Sequence, residues 1–120
     1  MWFAASLLFK STHIGKPDPD ALWEERIVLI KAESEGEARD QGELLGKAEE
    51  VEYISATGDQ VRWTFEQLER VYAVDAETLE DGTEVFSRFL SAREVQSLLT
   101  PFPDDAGQSW VKPVPRSRSR

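Results

Sequence analysis

Two apolar segments near the N-terminus constrain the fold more than any other feature. Residues 2–11 alternate at the period of two that is typical of a β-strand, and both of the resulting faces are mostly apolar. Residues 23–32 contain the continuous apolar run Ile27–Ile30, which is typical of a strand buried on both faces. The intervening residues 12–22 hold one glycine and two prolines and predict a loop. We therefore expect a loop-connected antiparallel pair at the centre of a sheet.

The next segment predicts a helix and a hairpin. Ser34 with Glu37 forms a capping-box pattern, and the helix is expected over about residues 35–45, with Gly46 in the left-handed conformation just beyond its end. Gly42, inside the helix, is expected to permit close packing on the sheet. Residues 49–56 and 60–66 flank Thr57-Gly58-Asp59, which predicts two strands joined by a short turn.

Apolar positions change parity after residue 66, which predicts a bulge near residues 67–69 or a break into two strands. Asp75–Gly82 is expected to be an acidic turn and Thr83–Leu90 a last strand. Ser91 with Glu94 predicts a second capping box, opening a short helix that ends at Leu99. The predicted fold is α+β, an antiparallel sheet of about five strands with two helices on one face, in the order β-β-α-β-β-β-α.

The charge is divided between a body and a tail. The chain has 120 residues, no cysteine and a formal net charge of −9. Residues 1–100 hold 21 acids and 10 bases (net −11), and residues 101–120 hold 2 acids and 4 bases (net +2). We expect one domain over residues 1–100 and a disordered proline- and arginine-containing tail over 101–120. An acidic body repels phosphate backbones, which argues against nucleic-acid binding.

The composition also bears on location. The absence of cysteine agrees with a reducing cytoplasm. The apolar N-terminus lacks the basic flank and cleavage site of a signal peptide, and it is too short to span a membrane. A cytoplasmic protein without membrane contact is expected.

Few residues form a pattern that indicates catalysis or metal binding. His13, the only histidine, precedes a loop with Asp18 and Asp20, so a general base or a single metal ligand is conceivable there. A hard cation held by those aspartates with Glu24 and Glu25 is an alternative, although the spacing is not that of an EF-hand. Adjacent glutamates on a strand point to opposite faces and cannot act as a pair. No nucleophile elbow or phosphate-binding loop is present. We assign no catalytic residue, metal ligand or cofactor.

The sheet is expected to lack a cover on one face. Two helices, one of them short, can cover one face of strands that are apolar on both. Candidates for the other cover are Trp110–Val111 folding back, a second copy of the chain, or another protein. Trp2, Trp23 and Trp63 are candidates for that second layer or for the core.

The sequence resembles a bacterial family called domain of unknown function 4288, over about residues 1–99. The resemblance rests on the aromatic start followed by alanine, on Trp23-Glu24-Glu25-Arg26, on Ser34–Ala38 and on Glu84-Val85-Phe86-Ser87-Arg88. It implies a small α+β domain and no established activity. To the candidate binding residues His13, Asp18 and Asp20, the resemblance adds Trp23, Glu24, Glu25, Glu84, Ser87 and Arg88.

Three functional hypotheses follow. The first is a non-enzymatic interaction module that associates with itself or another protein through an apolar sheet face. The second is an immunity-protein-like inhibitor of a basic toxin, which rests on analogy of charge and size. The third is a small-molecule enzyme or cation-binding protein centred on His13, Asp18 and Asp20.

Overall fold

The sheet has four antiparallel strands in the spatial order β2-β1-β4-β3. In chain order the elements are β1 (Trp2–His13), β2 (Trp23–Lys31), α1 (Glu35–Ala48), β3 (Val51–Ile54), β4 (Gln60–Val74) and α2 (Ala92–Leu99). The α+β class and the antiparallel sheet are confirmed. The first two strands and both helices lie close to their predicted positions.

The structure is a computed structural model that describes residues 1–16 and 21–100. The chain divides into two compact units, one of them Met1–Ser87 and the other beginning at Arg88. The first unit holds the sheet and α1, and the described part of the second holds α2. The predictions for the tail over 101–120, for Trp110–Val111 and for Asp18 and Asp20 lie outside the described residues.

β1 is one of the two inner strands, with β2 on one side and β4 on the other. Five of its residues have no exposed surface: Ala4, Ala5, Ser6, Leu7 and Phe9. β2 is an edge strand, so the prediction that it is central and buried on both faces is wrong. Its apolar run combines Val28 and Ile30, which pack in the core, with Ile27 and Leu29, which remain partly exposed on the opposite face.

Two bulges in β4 account for the parity change in the sequence. The register with β1 shifts twice, because Glu69 is inserted between Arg70 and Leu68, and Glu66 between Gln67 and Phe65. The bulge predicted near residues 67–69 is confirmed, and β4 continues through it as one strand. As a result Phe65, Leu68 and Val71, spaced by three, all pack against the core.

α1 packs closely on this face through two glycines. A Cβ on Gly42 would lie 2.7 Å from Leu68 Cδ1, and a Cβ on Gly46 would lie 2.5 Å from Phe65 Cδ1. Close packing at Gly42 is confirmed. The prediction that Gly46 ends the helix in the left-handed conformation is wrong, because α1 continues to Ala48 and Gly46 lies inside it against the Phe65 ring.

The start of α1 follows the prediction in its main contact. The Ser34 hydroxyl accepts a hydrogen bond from the Glu37 N–H at 3.1 Å. The Glu37 carboxylate accepts from the Glu33 N–H rather than from that of Ser34, so the reciprocal bond of a capping box is displaced by one residue.

The segment after β4 does not form the predicted strand. Residues 83–90 have no strand pairing, which is why the sheet has four strands rather than five. The segment is held by side chains instead, since Tyr72 donates a hydrogen bond to Glu84 and its ring lies 5.7 Å from that of Phe86. Gly82, with a φ of 88°, provides the turn that precedes it.

In the second unit, α2 begins with the predicted capping box. The Ser91 hydroxyl accepts from the Glu94 N–H at 3.2 Å, and the Glu94 carboxylate accepts from the Ser91 N–H at 2.8 Å. This backbone bond lowers the pKa of the Glu94 carboxyl. No residue of α2 is buried, and Leu98 and Leu99 are exposed.

The glycine contacts lead to a prediction for α1. Gly46→Ala should destabilise the protein by about 1 kcal/mol, because overpacking against the Phe65 ring costs ~1–3 kcal/mol and improved helix propensity returns ~1 kcal/mol. Gly36→Ala is the matched control, since its only close neighbour would be Ser34 Oγ at 4.0 Å. Urea denaturation should show Gly36→Ala to be neutral or stabilising. Equal effects of the two substitutions would contradict the close approach.

Candidate functional site: the outer face of the sheet

The face of the sheet opposite α1 is called the outer face here. Ala5 lies beneath Gly42 of α1, so its neighbours Ala4 and Ser6, which point the other way, lie on the outer face. Residues directly opposite on neighbouring strands share a face. Leu29 and Tyr72, both paired with Ala4, therefore belong to it as well.

The outer face is covered around Tyr72. Ala4 and Ser6 have no exposed surface although α1 lies on the opposite side of the sheet. Glu84 and Phe86 both contact Tyr72, which pairs with Ala4. The acidic turn and the segment that follows it thus return to the sheet. The sequence indicated that a cover was needed but not that this segment contributes to it.

The outer face is exposed along β2. Trp23, Ile27 and Leu29 remain 53%, 45% and 39% exposed, and we call these three residues the β2 strip. Lys10 Nζ lies 5.6 Å from the centre of the Trp23 ring, a cation–π distance that steadies the start of the strip. Of the predicted binding residues, Trp23 is thus placed on an exposed apolar surface.

Glu24 and Glu25 lie on opposite faces, as adjacent strand residues must. Glu25 accepts a hydrogen bond from the buried Ser6 hydroxyl at 2.6 Å on the outer face. Glu24 faces α1 and forms an ion pair with Arg26, whose Nη1 also donates to Glu49 at 3.0 Å at the C-terminal end of the helix. Arg26 thus links Glu24 of β2 to the end of α1, while Glu25 lies on the outer face.

Glu84 and Ser87 meet at Tyr72, which the sequence did not single out. The hydrogen bond to the Glu84 carboxylate, together with partial burial, raises the pKa of the Tyr72 phenol, and a hydrogen bond with Ser87 opposes this. Tyr72 is therefore a neutral donor at physiological pH. It lies at the side of an open depression of about 670 Å³ whose walls are formed by residues 75–78 and 80–84.

His13 lies at the end of β1, where the β3–β4 turn approaches it. His13 Nδ1 is 3.4 Å from Asp59 Oδ2, and Lys16 Nζ donates to Asp59 Oδ1 at 2.8 Å. The bond from Lys16 is the main reason that the pKa of Asp59 is lowered. The sequence predicted Asp18 and Asp20 as neighbours of His13 and missed Asp59, which is 46 residues away. Only the hairpin at Gly58 hinted that residue 59 returns to the sheet.

The His13 cluster contains groups that can transfer protons, but its visible role is a cross-link. Thr57 donates to Asp59 at 3.4 Å, and the Asp59 N–H donates to the Ser55 hydroxyl at 3.2 Å. These bonds fix the turn between β3 and β4, and the contacts of Asp59 with His13 and Lys16 join the turn to the end of β1. Arg88, the remaining predicted residue, belongs to the second unit, where its charge contributes to the lowered pKa of Glu94.

Within residues 1–16 and 21–100, no three His, Asp or Glu side chains are placed to hold a metal ion. No helix in that part of the chain is long and apolar enough to cross a membrane.

The structure defines a small α+β domain with an antiparallel sheet, one face under a helix and the other partly exposed. The sequence profile of the family described as domain of unknown function (DUF4288) matches residues 2–87, so the chain belongs to that family. The match ends before Arg88 and covers nearly all of the first compact unit. No curated protein and no solved structure matches the chain.

The contact between Tyr72 and Glu84 predicts a shift in titration. Glu84→Gln keeps a hydrogen-bond acceptor but removes the charge, so the pKa of Tyr72 should fall toward its ordinary value. An alkaline titration with ¹³C-labelled tyrosine, followed by NMR, measures it directly. Glu80→Gln removes the same charge from the depression without removing the hydrogen bond and is the control. Equal pKa changes in the two variants would contradict the assigned cause.

The Asp59 cluster predicts a pH dependence of stability. A carboxyl whose pKa is lowered on folding stabilises the protein above its unfolded pKa, and this contribution is lost as the pH falls through its folded pKa. Asp59→Asn should therefore lower the melting temperature near neutral pH and have little effect under strongly acidic conditions. Asp40→Asn, at an exposed position on α1, is the control. A loss of stability that is the same at both pH values would contradict the electrostatic role.

Proposed function

We propose that this domain is a non-catalytic protein-binding module that binds its partner through the β2 strip and the free edge of β2. The observation that carries the proposal is the exposure of Trp23, Ile27 and Leu29 on one side of a strand that pairs with one neighbour in the described part of the chain. Large apolar side chains gathered on one surface are a typical feature of protein interfaces.

The form of the surface favours a protein partner over a small ligand. In the described part of the chain β2 is an edge strand, and Ile27 and Leu29 of the β2 strip are flanked on the outer face by the charged residues Glu25 and Lys31, both exposed. An apolar centre with a charged margin is the usual composition of a protein–protein interface, whereas small ligands prefer enclosed cavities.

The rest of the outer face supports the same assignment. Residues near Tyr72 contact the returning segment at Glu84 and Phe86, so the part of the face next to β4 is already occupied. The exposed residues of this face on β4, such as Gln67 and Arg70, are polar, and β3 contributes Ile54, so β2 carries the largest group of exposed apolar side chains on the described part of this face. A partner bound there contacts backbone and side chains of one strand, as in strand-addition complexes.

The proposal is tested by photo-crosslinking in cells that express the protein. A photoreactive amino acid at position 27 should give a covalent adduct with a protein, because Ile27 is at the centre of the strip. The same amino acid at position 44 is the control, since Leu44 is 70% exposed but lies on α1. Absence of any protein adduct at position 27, or equal adducts at both positions, would overturn the proposal.

A further inference from the structure

The hydrogen bonds of β2 show which of its backbone groups face the free edge. Ala32 N–H donates to Met1 O at 2.9 Å, and Ser11 N–H donates to Leu22 O at 2.9 Å. Both bonds join residues that are directly opposite in the β1–β2 register. Because hydrogen-bonded and non-bonded pairs alternate along an antiparallel ladder, the even-numbered residues of β2 bond to β1.

The odd-numbered residues therefore direct their N–H and C=O groups away from β1. They are also the residues whose side chains lie on the outer face, and they are Trp23, Glu25, Ile27, Leu29 and Lys31. In the described part of the chain, β1 is the only strand that pairs with β2. A long edge with unpaired backbone groups and exposed apolar side chains is a template for adding a strand.

We propose that this edge pairs with the β2 strand of a second copy of the chain. The two strands run antiparallel and are related by a two-fold axis that passes through the sheet at Val28. The inference rests on the proposed function and specifies its partner. The two four-stranded sheets then form one sheet of eight strands, with both copies of α1 on the same side and both β2 strips on the other. A symmetric pair uses the same surface on both subunits, as most homodimers do.

Charge complementarity favours a second copy and this register. With the axis at Val28, Glu25 lies opposite Lys31 of the partner subunit, and Ile27 lies opposite the partner's Leu29. Both pairs occur twice by symmetry. A shift of the axis to Ile27 would place Glu25 opposite the partner's Leu29, so the charges would no longer match. Opposite charges directly across strands stabilise a pair, which counters the repulsion between two chains that each have a net charge of −9.

Exchanging the charges at positions 25 and 31 tests the proposed register between the two β2 strands. The association of the full-length chain should be measured by sedimentation equilibrium over a range of protein concentrations. Lys31→Glu and Glu25→Lys should each raise the dimer dissociation constant by about tenfold or more, which corresponds to ~1.4 kcal/mol. The double variant E25K/K31E restores opposite charges and should associate nearly as well as the unmodified chain.

Two further variants distinguish an effect of strand pairing at the β2 edge from a general effect of net charge. Arg39→Glu changes the net charge by the same amount as Lys31→Glu, but Arg39 lies on α1, so it should have little effect on the dissociation constant. Ile27→Pro removes an N–H that faces the free edge and leaves the ladder to β1 complete, so it should abolish association while circular dichroism remains unchanged.

The proposal is overturned if the unmodified chain remains a monomer at every concentration, if Arg39→Glu and Lys31→Glu weaken association equally, or if the double variant stays dissociated. Dimerisation of a folded Ile27→Pro variant would also overturn it. A monomer that still forms an adduct at position 27 with a different protein would refute the second copy as partner but would leave the proposed function intact.

Discussion

The close approach of α1 to β4 is the contact on which the rest of the domain depends. Gly42 lies over Leu68 and Gly46 lies over Phe65, at distances that leave no space for a side chain on either glycine. This contact excludes water from one face of the sheet and buries the core side of β1. A single helix of 14 residues then suffices to cover that face. Because the described residues of the first unit form no second helix on the other side, the same contact determines which face of the sheet is left for other interactions.

The two bulges make that approach possible. A regular strand would place Phe65 and Leu68 on opposite faces, since their separation is an odd number of residues. The inserted Glu66 corrects the parity between Phe65 and Leu68, and the inserted Glu69 does the same between Leu68 and Val71; both charged side chains remain accessible to water. A bulge also bends a strand and increases its twist, which allows a long strand to follow the helix above it. Thus a local irregularity that weakens strand pairing is offset by helix packing.

Sequence reasoning could predict the features that depend on neighbouring residues and could not predict those that depend on tertiary contacts. Local signals were sufficient for the caps at Ser34 and Ser91, the turn at Gly58 and the bulge, because each depends on residues close in the chain. The position of β2 at the edge was missed, since the run Ile27–Ile30 has the same appearance in a central strand and in an edge strand with one exposed face. Asp59 and Tyr72 were missed for a related reason. Their partners are distant in sequence: the sheet register brings Asp59 to His13, and the return of the segment after β4 brings Glu84 and Phe86 to Tyr72.

β2 exposes both a backbone edge and apolar side chains, and the two together are more informative than either alone. Natural edge strands are usually protected by being short, or by charges, prolines or bulges. β3, the opposite edge, has only four residues, whereas β2 has nine and contains no proline. Because β2 pairs regularly with β1, the backbone N–H and C=O groups of five β2 residues face the free edge, next to the exposed apolar side chains of the β2 strip. A regular strand with this exposure would be a liability for aggregation unless a specific partner covered it, and Glu25 and Lys31 restrict which strand can pair there.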